Sequence, residues 1–230
     1  MIPKIIHQTH YDQNLPLVAD CKKTIENTNP SWEYKFWSNQ MAEKLVRENF
    51  PQYSDQWLSL ENKNIIKWNL FRFMLIYAEG GMYVDCDTIF RKSIDEVINF
   101  NVEFIGVKKH CFDIWIKDHF FLAEKHSQFL YSCIDKIFKQ LMLINPSKLG
   151  VTSHVHHICG GFFLNKQLEL YSRSGGDFYE LLNPKCITNI DLRGEGYKNQ
   201  IKANQEFNWD DVYVMHLMEG SWSNRPLDNG

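Results

Sequence analysis

Residues 62–79 carry Ile65, Ile66, Trp68, Leu70, Phe71, Phe73, Met74, Leu75, Ile76 and Tyr77 with almost no polar face. A helix of that composition is stable only when other elements cover it nearly all round. A chain of 230 residues is long enough to build one sizeable core around it, so the expectation is a single domain over residues 1–230. Two polar residues interrupt the run, Asn69 and Arg72, three apart on the stripe that also carries Ile65 and Ile76. A guanidinium there keeps its charge, so Arg72 must meet a carboxylate or other acceptors.

Gly80-Gly81 break this helix, and Met82-Tyr83-Val84 form a short apolar strand that delivers Asp85-Cys86-Asp87. In an extended chain Asp85 and Asp87 share a face while Cys86 points away. Two carboxylates so placed repel each other unless a cation or bound protons sit between them. A hard divalent ion, Mg2+ or Mn2+, suits such oxygens and keeps positions open for phosphate. A bare Asp-x-Asp is also compatible with an acidic strand end facing water, but the Gly-Gly and the apolar strand before it favour a site. Arg72 then either bridges to Asp85 or lines, with Asn69, the floor below the two aspartates. One arginine can do both.

The remaining chain supplies the surroundings. A first strand at residues 4–8 ends in His7-Gln8-Thr9-His10, where α/β sheets bind ligands, although a polar turn explains these residues equally well. A helix over 17–27 stops at Asn29-Pro30. Residues 32–37 alternate as a strand with one buried face, and Asn39 caps a helix to 49. Thr88-Ile89-Phe90 extends the aspartate strand, Ser93 begins a short helix, and 102–107 is a further strand. Residues 115–123 and 129–143 are helical by spacing. His154 and His156 alternate in a strand-like run with no acidic residue nearby, so the cluster is not read as a metal site. Gly160-Gly161 then precede an apolar strand, where bare backbone permits a ligand to approach or simply marks a bulge. A short helix follows Gly175-Gly176 through 182. The last strand, 212–215, delivers His216, and Glu219-Gly220-Ser221-Trp222 come after it.

A net charge of −3 argues against general nucleic-acid binding, which relies on neutralising many phosphates. No window holds the roughly 18 apolar residues of a membrane span. Met1 to His7 lack the pattern of a signal peptide, so the expected location is cytoplasmic. The six cysteines, at 21, 86, 111, 133, 159 and 186, include no Cys-x-x-Cys pair and read as reduced, buried thiols rather than a zinc site.

The order of these motifs resembles the glycosyltransferases of the "sugar-binding region containing DXD" group, of the yeast α-1,6-mannosyltransferase type and, more distantly, the glucosylating clostridial toxins. The residues that carry it are Ile2-Pro3-Lys4-Ile5-Ile6-His7-Gln8-Thr9, Pro30-Ser31-Trp32-Glu33-Tyr34-Lys35-Phe36-Trp37, Arg72, Gly80 to Asp87, His216 and Gly220-Ser221-Trp222. The resemblance implies an α/β GT-A fold, a single Rossmann-like domain with a central mixed sheet flanked by helices. It implies a metal-dependent, retaining transfer of a hexose from a UDP- or GDP-sugar to a glycan or other hydroxyl acceptor, with Mn2+ or Mg2+ as cofactor. Asp87 would ligate the ion directly and Asp85 would help hold it while contacting ribose or sugar. His216 would complete the shell, with Glu219 and Ser221 as alternatives. Asp85, Asp87 and Arg72 would carry the chemistry. His7, Gln8, Thr9, Asn69, Tyr83, Gly160, Gly161, Ser221 and Trp222 would surround the nucleotide-sugar. The family has Asp where this chain has Asn69, which bears on the donor sugar and on activity.

Two other readings compete. A haloacid-dehalogenase-type phosphatase would use Asp85 as nucleophile beside Asp87, but Ile89 departs from that pattern and Asp210-Asp211 precede an apolar strand instead of following one. A non-catalytic descendant that binds a nucleotide-sugar or carbohydrate would keep the pocket and lose turnover; Asn69 is the residue in its favour.

Overall fold

The computed structural model describes residues 1–61, 65–109, 112–143, 152–173, 179–189 and 209–217. Its organising pair is α4 (Ile65–Glu79) and β3 (Gly81–Val84). Leu70, Phe71, Phe73, Met74, Leu75 and Ile76 of α4 are all completely buried, each contributing roughly 1.5–3 kcal/mol of apolar burial. The helix-to-strand turn needs both glycines. Gly80 and Gly81 have φ of +71° and +96°, and a Cβ on Gly81 would lie 2.5 Å from the carbonyl oxygen of Ile5. Side chains are therefore excluded by backbone conformation and by space.

Strand β3 sits inside a seven-stranded mixed sheet. On one side it runs parallel to β1 (Ile5–Thr9), which runs parallel to β2 (Glu33–Trp37). On the other side it is antiparallel to β7 (Phe120–Ala123), which is antiparallel to β5 (Phe104–Lys109). Beyond its pairing with β7, β5 pairs antiparallel with β6 (Phe112–Ile116); its other edge carries β8 (Tyr179–Leu182), in parallel. A second sheet of three strands joins β4 (Thr88–Phe90), β10 (Val214–His216) and β9 (Ile187–Asn189).

The pleat divides the core in two. Tyr83, Phe104, Phe121 and Ala123 face a helical layer of α4 with α2 (Asn39–Asn49), α3 (Ser54–Ser59), α5 (Gln128–Leu143), α6 (Thr152–Ile158) and α7 (Gly161–Arg173). Met82, Val84, Ile105, Phe120 and Leu122 face the other way, toward Ile25 of α1 (Pro16–Thr28) and Phe90, Ile187 and Val214 of the small sheet. The expected mixed sheet flanked by helices is present, with the small sheet filling part of one flank.

Several local expectations are corrected. Residues 115–123 are not a helix. They span the end of β6, a turn at 117–119 and β7, because an apolar strand buried on both faces shows no alternation and its spacing mimics a helix. Residues 153–165 are the reverse case: α6 and α7 replace the expected strand, with Phe163, Leu164 and Leu168 buried at helical spacing. The expected helix ending at 182 is β8, which gains a partner in β5. Thr88-Ile89-Phe90 does not extend β3; the chain turns at Cys86-Asp87 and β4 joins the other sheet. Strand β2 has cover on both faces, since Trp37 packs on the helical side while Trp32 and Tyr34 pack on the other. The cap of α2 is Ser38, whose hydroxyl accepts from the Met41 N–H, and not Asn39. Cys21, Cys86, Cys133 and Cys159 are buried free thiols and Cys186 is a half-buried one.

Candidate active site

The parallel strands β1 and β3 end side by side, and the site forms at that edge. Asp85 follows β3 directly, and its N–H donates to the carbonyl of His119 at 3.1 Å. Asp87 follows one residue later in the turn. Strand β10 lies antiparallel to β4 with His216 opposite Thr88, and the Leu217 N–H donates to the Asp87 carbonyl at 2.9 Å. That register carries the His216 ring to the two carboxylates. Its Nε2 is 3.2 Å from Asp87 Oδ1 and 3.8 Å from Asp85 Oδ2. One ligand atom from each of Asp85, Asp87 and His216 falls within 4.8 Å of the others. Two carboxylates and an imidazole at that separation are a donor set suited to Mn2+ and usable by Mg2+.

Arg72 lies behind the aspartates, as the stripe on α4 requires. Its guanidinium donates to the Asn69 Oδ1 at 2.5 Å and to the Asp118 carbonyl at 2.6 Å. It also stands 3.8 Å from Asp85 Oδ1 and 3.7 Å from Asp118 Oδ2, over the Tyr83 ring at 5.0 Å. Burial opposes the charge, but Tyr83, Asp85 and Asp118 outweigh it and hold the guanidinium above its ordinary range. Asp85 is also tied by the Tyr83 hydroxyl, which donates to Oδ1 at 2.8 Å. Burial pushes the Asp85 carboxyl up despite Arg72 and His216, with the Asp87 charge adding to the rise. A cation bound between the carboxylates would reverse that tendency.

His7 and Gln8 are completely buried and support the strand end from within. The Trp37 indole N–H donates to His7 Nδ1 at 3.0 Å, and the other ring nitrogen donates to the Gly80 carbonyl at 2.9 Å. Burial lowers the His7 imidazole to about 3, so it is neutral. Gln8 donates to the Asp85 carbonyl at 3.1 Å and accepts from the Tyr34 hydroxyl at 2.8 Å. Thr9 is half-buried; its hydroxyl donates to the Trp37 carbonyl, and its own carbonyl faces the Cys86 thiol at 3.5 Å. Gly160 stands between α6 and α7 and Gly161 begins α7, so the pair precedes a helix rather than a strand. The neighbouring Cys159 thiol is pushed up to about 12 by burial, against the Arg72 charge and a hydrogen bond from Asn69, so this helix junction reaches the Arg72 side of the site. Glu219, Ser221 and Trp222 lie outside the described residues.

Sequence reasoning misses Lys117, Asp118 and His119, the turn between β6 and β7. Asp118 supplies two of the Arg72 contacts, and the Lys117 ammonium reaches the Ile187 carbonyl of β9, tying the two sheets together. His119 stacks on His216, ring centroids 3.9 Å apart and 19° from parallel. Burial, with His216, Lys117 and Arg72 close by, holds the His119 imidazole well below its ordinary value, so it is neutral. The signal was three consecutive polar residues between the apolar runs Ile114-Trp115-Ile116 and Phe120-Phe121-Leu122, which is a hairpin pattern.

Comparison with known proteins agrees with this geometry. Residues 16–104 match the family described as "Glycosyltransferase sugar-binding region containing DXD motif". Inositol phosphoceramide mannosyltransferase 1 of Schizosaccharomyces pombe is 27% identical over 143 residues, covering 60% of this chain and 43% of that protein. The chain thus spans less than half the length of that fungal relative. An uncharacterised glycosyltransferase of Acanthamoeba polyphaga mimivirus is 24% identical over 97% of this chain and 84% of its own length. Among solved structures, the glycosyltransferase PaToxG superposes with a TM-score of 0.55 at 14% identity, covering 92% of this chain and 78% of that one. The fold is therefore GT-A, and the haloacid-dehalogenase expectation loses its structural context. Residues 16–104, about two fifths of the chain, are thus similar to the glycosyltransferases whose sugar-binding region contains a DXD motif, and the fold agrees with that similarity.

Proposed function

We propose that the protein is a metal-dependent, retaining glycosyltransferase that moves a hexose from a UDP- or GDP-sugar to a glycan or other hydroxyl acceptor. The observation that carries this reading is the convergence of Asp85, Asp87 and His216 within 4.8 Å at the ends of β3 and β10. These three would hold a divalent cation, Mn2+ or Mg2+. The cation would supply counter-charge to the diphosphate as the anomeric carbon becomes oxocarbenium-like.

The chain's own residues do the rest. Arg72, paired and always charged, adds a fixed positive charge beside Asp85 and toward the donor. Tyr83 and Gln8 hold Asp85 in place through its carboxylate and its carbonyl. Asn69 has its oxygen engaged by Arg72 and its amide by Cys159, so it orients the arginine; a family Asp there would present a carboxylate. Thr9, with His7 and Gln8 buried behind it, borders the nucleotide side. Gly160 and Gly161 border the sugar side, and Ser221 and Trp222 are assigned to the diphosphate and base. No separate general base is assigned, because the departing phosphate can take the acceptor's proton.

A panel of UDP- and GDP-sugars with and without Mn2+ tests this by thermal shift and by product formation. Metal-dependent stabilisation together with sugar transfer, or with hydrolysis of the donor, supports the reading. Tight binding without turnover for any acceptor would make the protein a binding descendant, and no binding at all would reject the assignment.

A further inference from the structure

His119 is 8% exposed, and neither of its ring nitrogens has a hydrogen-bond partner among the described residues. Buried polar atoms left unmet are costly and rare, so a pair on one ring points to a ligand group. The ring cannot easily swing away to satisfy them. Its own carbonyl accepts from Asp85 N–H, its face is stacked on His216, and the preceding Asp118 and Lys117 are engaged by Arg72 and the Ile187 carbonyl. The position is thus fixed beside the cation site, on a ring that touches one of its three side chains.

The chemistry of the ring selects the ligand. At and above neutral pH an imidazole of ordinary pKa offers one N–H donor and one bare acceptor nitrogen. Phosphate oxygens only accept, and would set a lone pair against the bare nitrogen. A hydroxyl both donates and accepts, and sugars present hydroxyls on adjacent carbons. We propose that His119 is a sugar-recognition residue whose ring nitrogens take a hydroxyl of the hexose being transferred or of the acceptor beside it. The proposal rests on the glycosyl-transfer reading of the same site.

Two variants separate this from a merely structural role. His119→Phe keeps a flat ring against His216 and removes both nitrogens; His119→Gln keeps one donor and one acceptor. Calorimetry with Mn2+ alone, and with Mn2+ plus UDP or GDP, is expected to give the same affinities for wild type and both variants. The affinity that UDP-glucose or GDP-mannose gains over the bare nucleotide is expected to fall about three- to tenfold in His119→Phe and to recover in His119→Gln. If instead donor binding is unchanged, a rise in KM for a methyl mannoside acceptor in His119→Phe, reversed in His119→Gln, places the hydroxyl on the acceptor. The proposal is overturned if His119→Phe matches wild type in both arms, or if it loses Mn2+ affinity, which would make the ring a prop for His216. A wild-type protein that binds Mn2+ and nucleotide but gains nothing from the donor sugar and shows no dependence on the acceptor also overturns it. One that binds neither rejects the glycosyl-transfer reading itself.

Discussion

The Nε2 atom of His216 lies 3.2 Å from Oδ1 of Asp87, although the two residues are far apart in the chain, one in a turn after β3 and the other in the last described strand. The contact exists because β10 pairs with β4 and sets His216 opposite Thr88. Both side chains are mostly buried, at 12% and 16% exposure, so a ligand shared by them would be held in a place that water enters sparingly.

If these atoms share a cation, Asp87→Ala and His216→Ala each remove a direct ligand. The loss in Mn2+ affinity should exceed the roughly 10- to 100-fold typical of an outer partner. Titration calorimetry measures it, and circular dichroism should show the fold intact. Wild type at a hundred times its dissociation constant should gain about 2.7 kcal/mol of stability from the ion, and the variants almost none.

Arg72 is the reverse case, a buried charge whose removal strands others. Arg72→Met would leave Asp85 and Asp118 without their guanidinium and Asn69 Oδ1 without its donor. Breaking such a buried pair costs about 3–5 kcal/mol, so the urea midpoint should drop sharply. A loss well under 1 kcal/mol would show that the guanidinium holds little of this region together.

Gly81→Ala should destabilise the chain by about 1–3 kcal/mol from backbone strain alone, with more from the Cβ placed 2.5 Å from the Ile5 carbonyl oxygen. Because that strain sits between α4 and β3, it should also displace Asp85 and weaken Mn2+ binding. An equal stability for the variant, measured by thermal unfolding, would contradict the φ of +96° at this residue.

His7 sets a pH dependence. Its imidazole titrates near 3 in the folded protein against 6.5 when unfolded, chiefly because of burial. Between those values the unfolded chain binds the extra proton, so stability rises with pH there and is lost as pH falls from about 6.5, by up to about 1.4 kcal/mol per unit. Denaturant titrations from pH 7 to 4.5 should show that slope, and His7→Gln should reduce it. Nitrogen NMR should find the ring neutral, protonated on the nitrogen that faces the Gly80 carbonyl, throughout that range.

Much of this site was legible in the residues. The all-apolar face of α4, the Asn69 and Arg72 interruptions, the paired glycines and the two aspartates follow from periodicity and backbone sterics, which act within a few residues. The burial of Arg72 against Asp85 was foreseeable because an arginine on an apolar stripe has no other tolerable arrangement. His216 at a strand end was found by motif order. The turn at Lys117-Asp118-His119 was not, because Phe120 to Ala123 are buried on both faces and lose the alternation that marks a strand. The helices at α6 and α7 were missed for the opposite reason, alternating histidines and a glycine pair that imitate a strand and its bulge.

The residues alone determined that a buried cationic helix would end abruptly in a glycine pair and present two carboxylates, since that is dictated by local sterics and the cost of burying charge. Only the tertiary structure decided what meets them. Asp118, His119 and His216 arrive through sheet pairing, and the partner a strand finds depends on the packing of the whole core, which no stretch of neighbouring residues encodes.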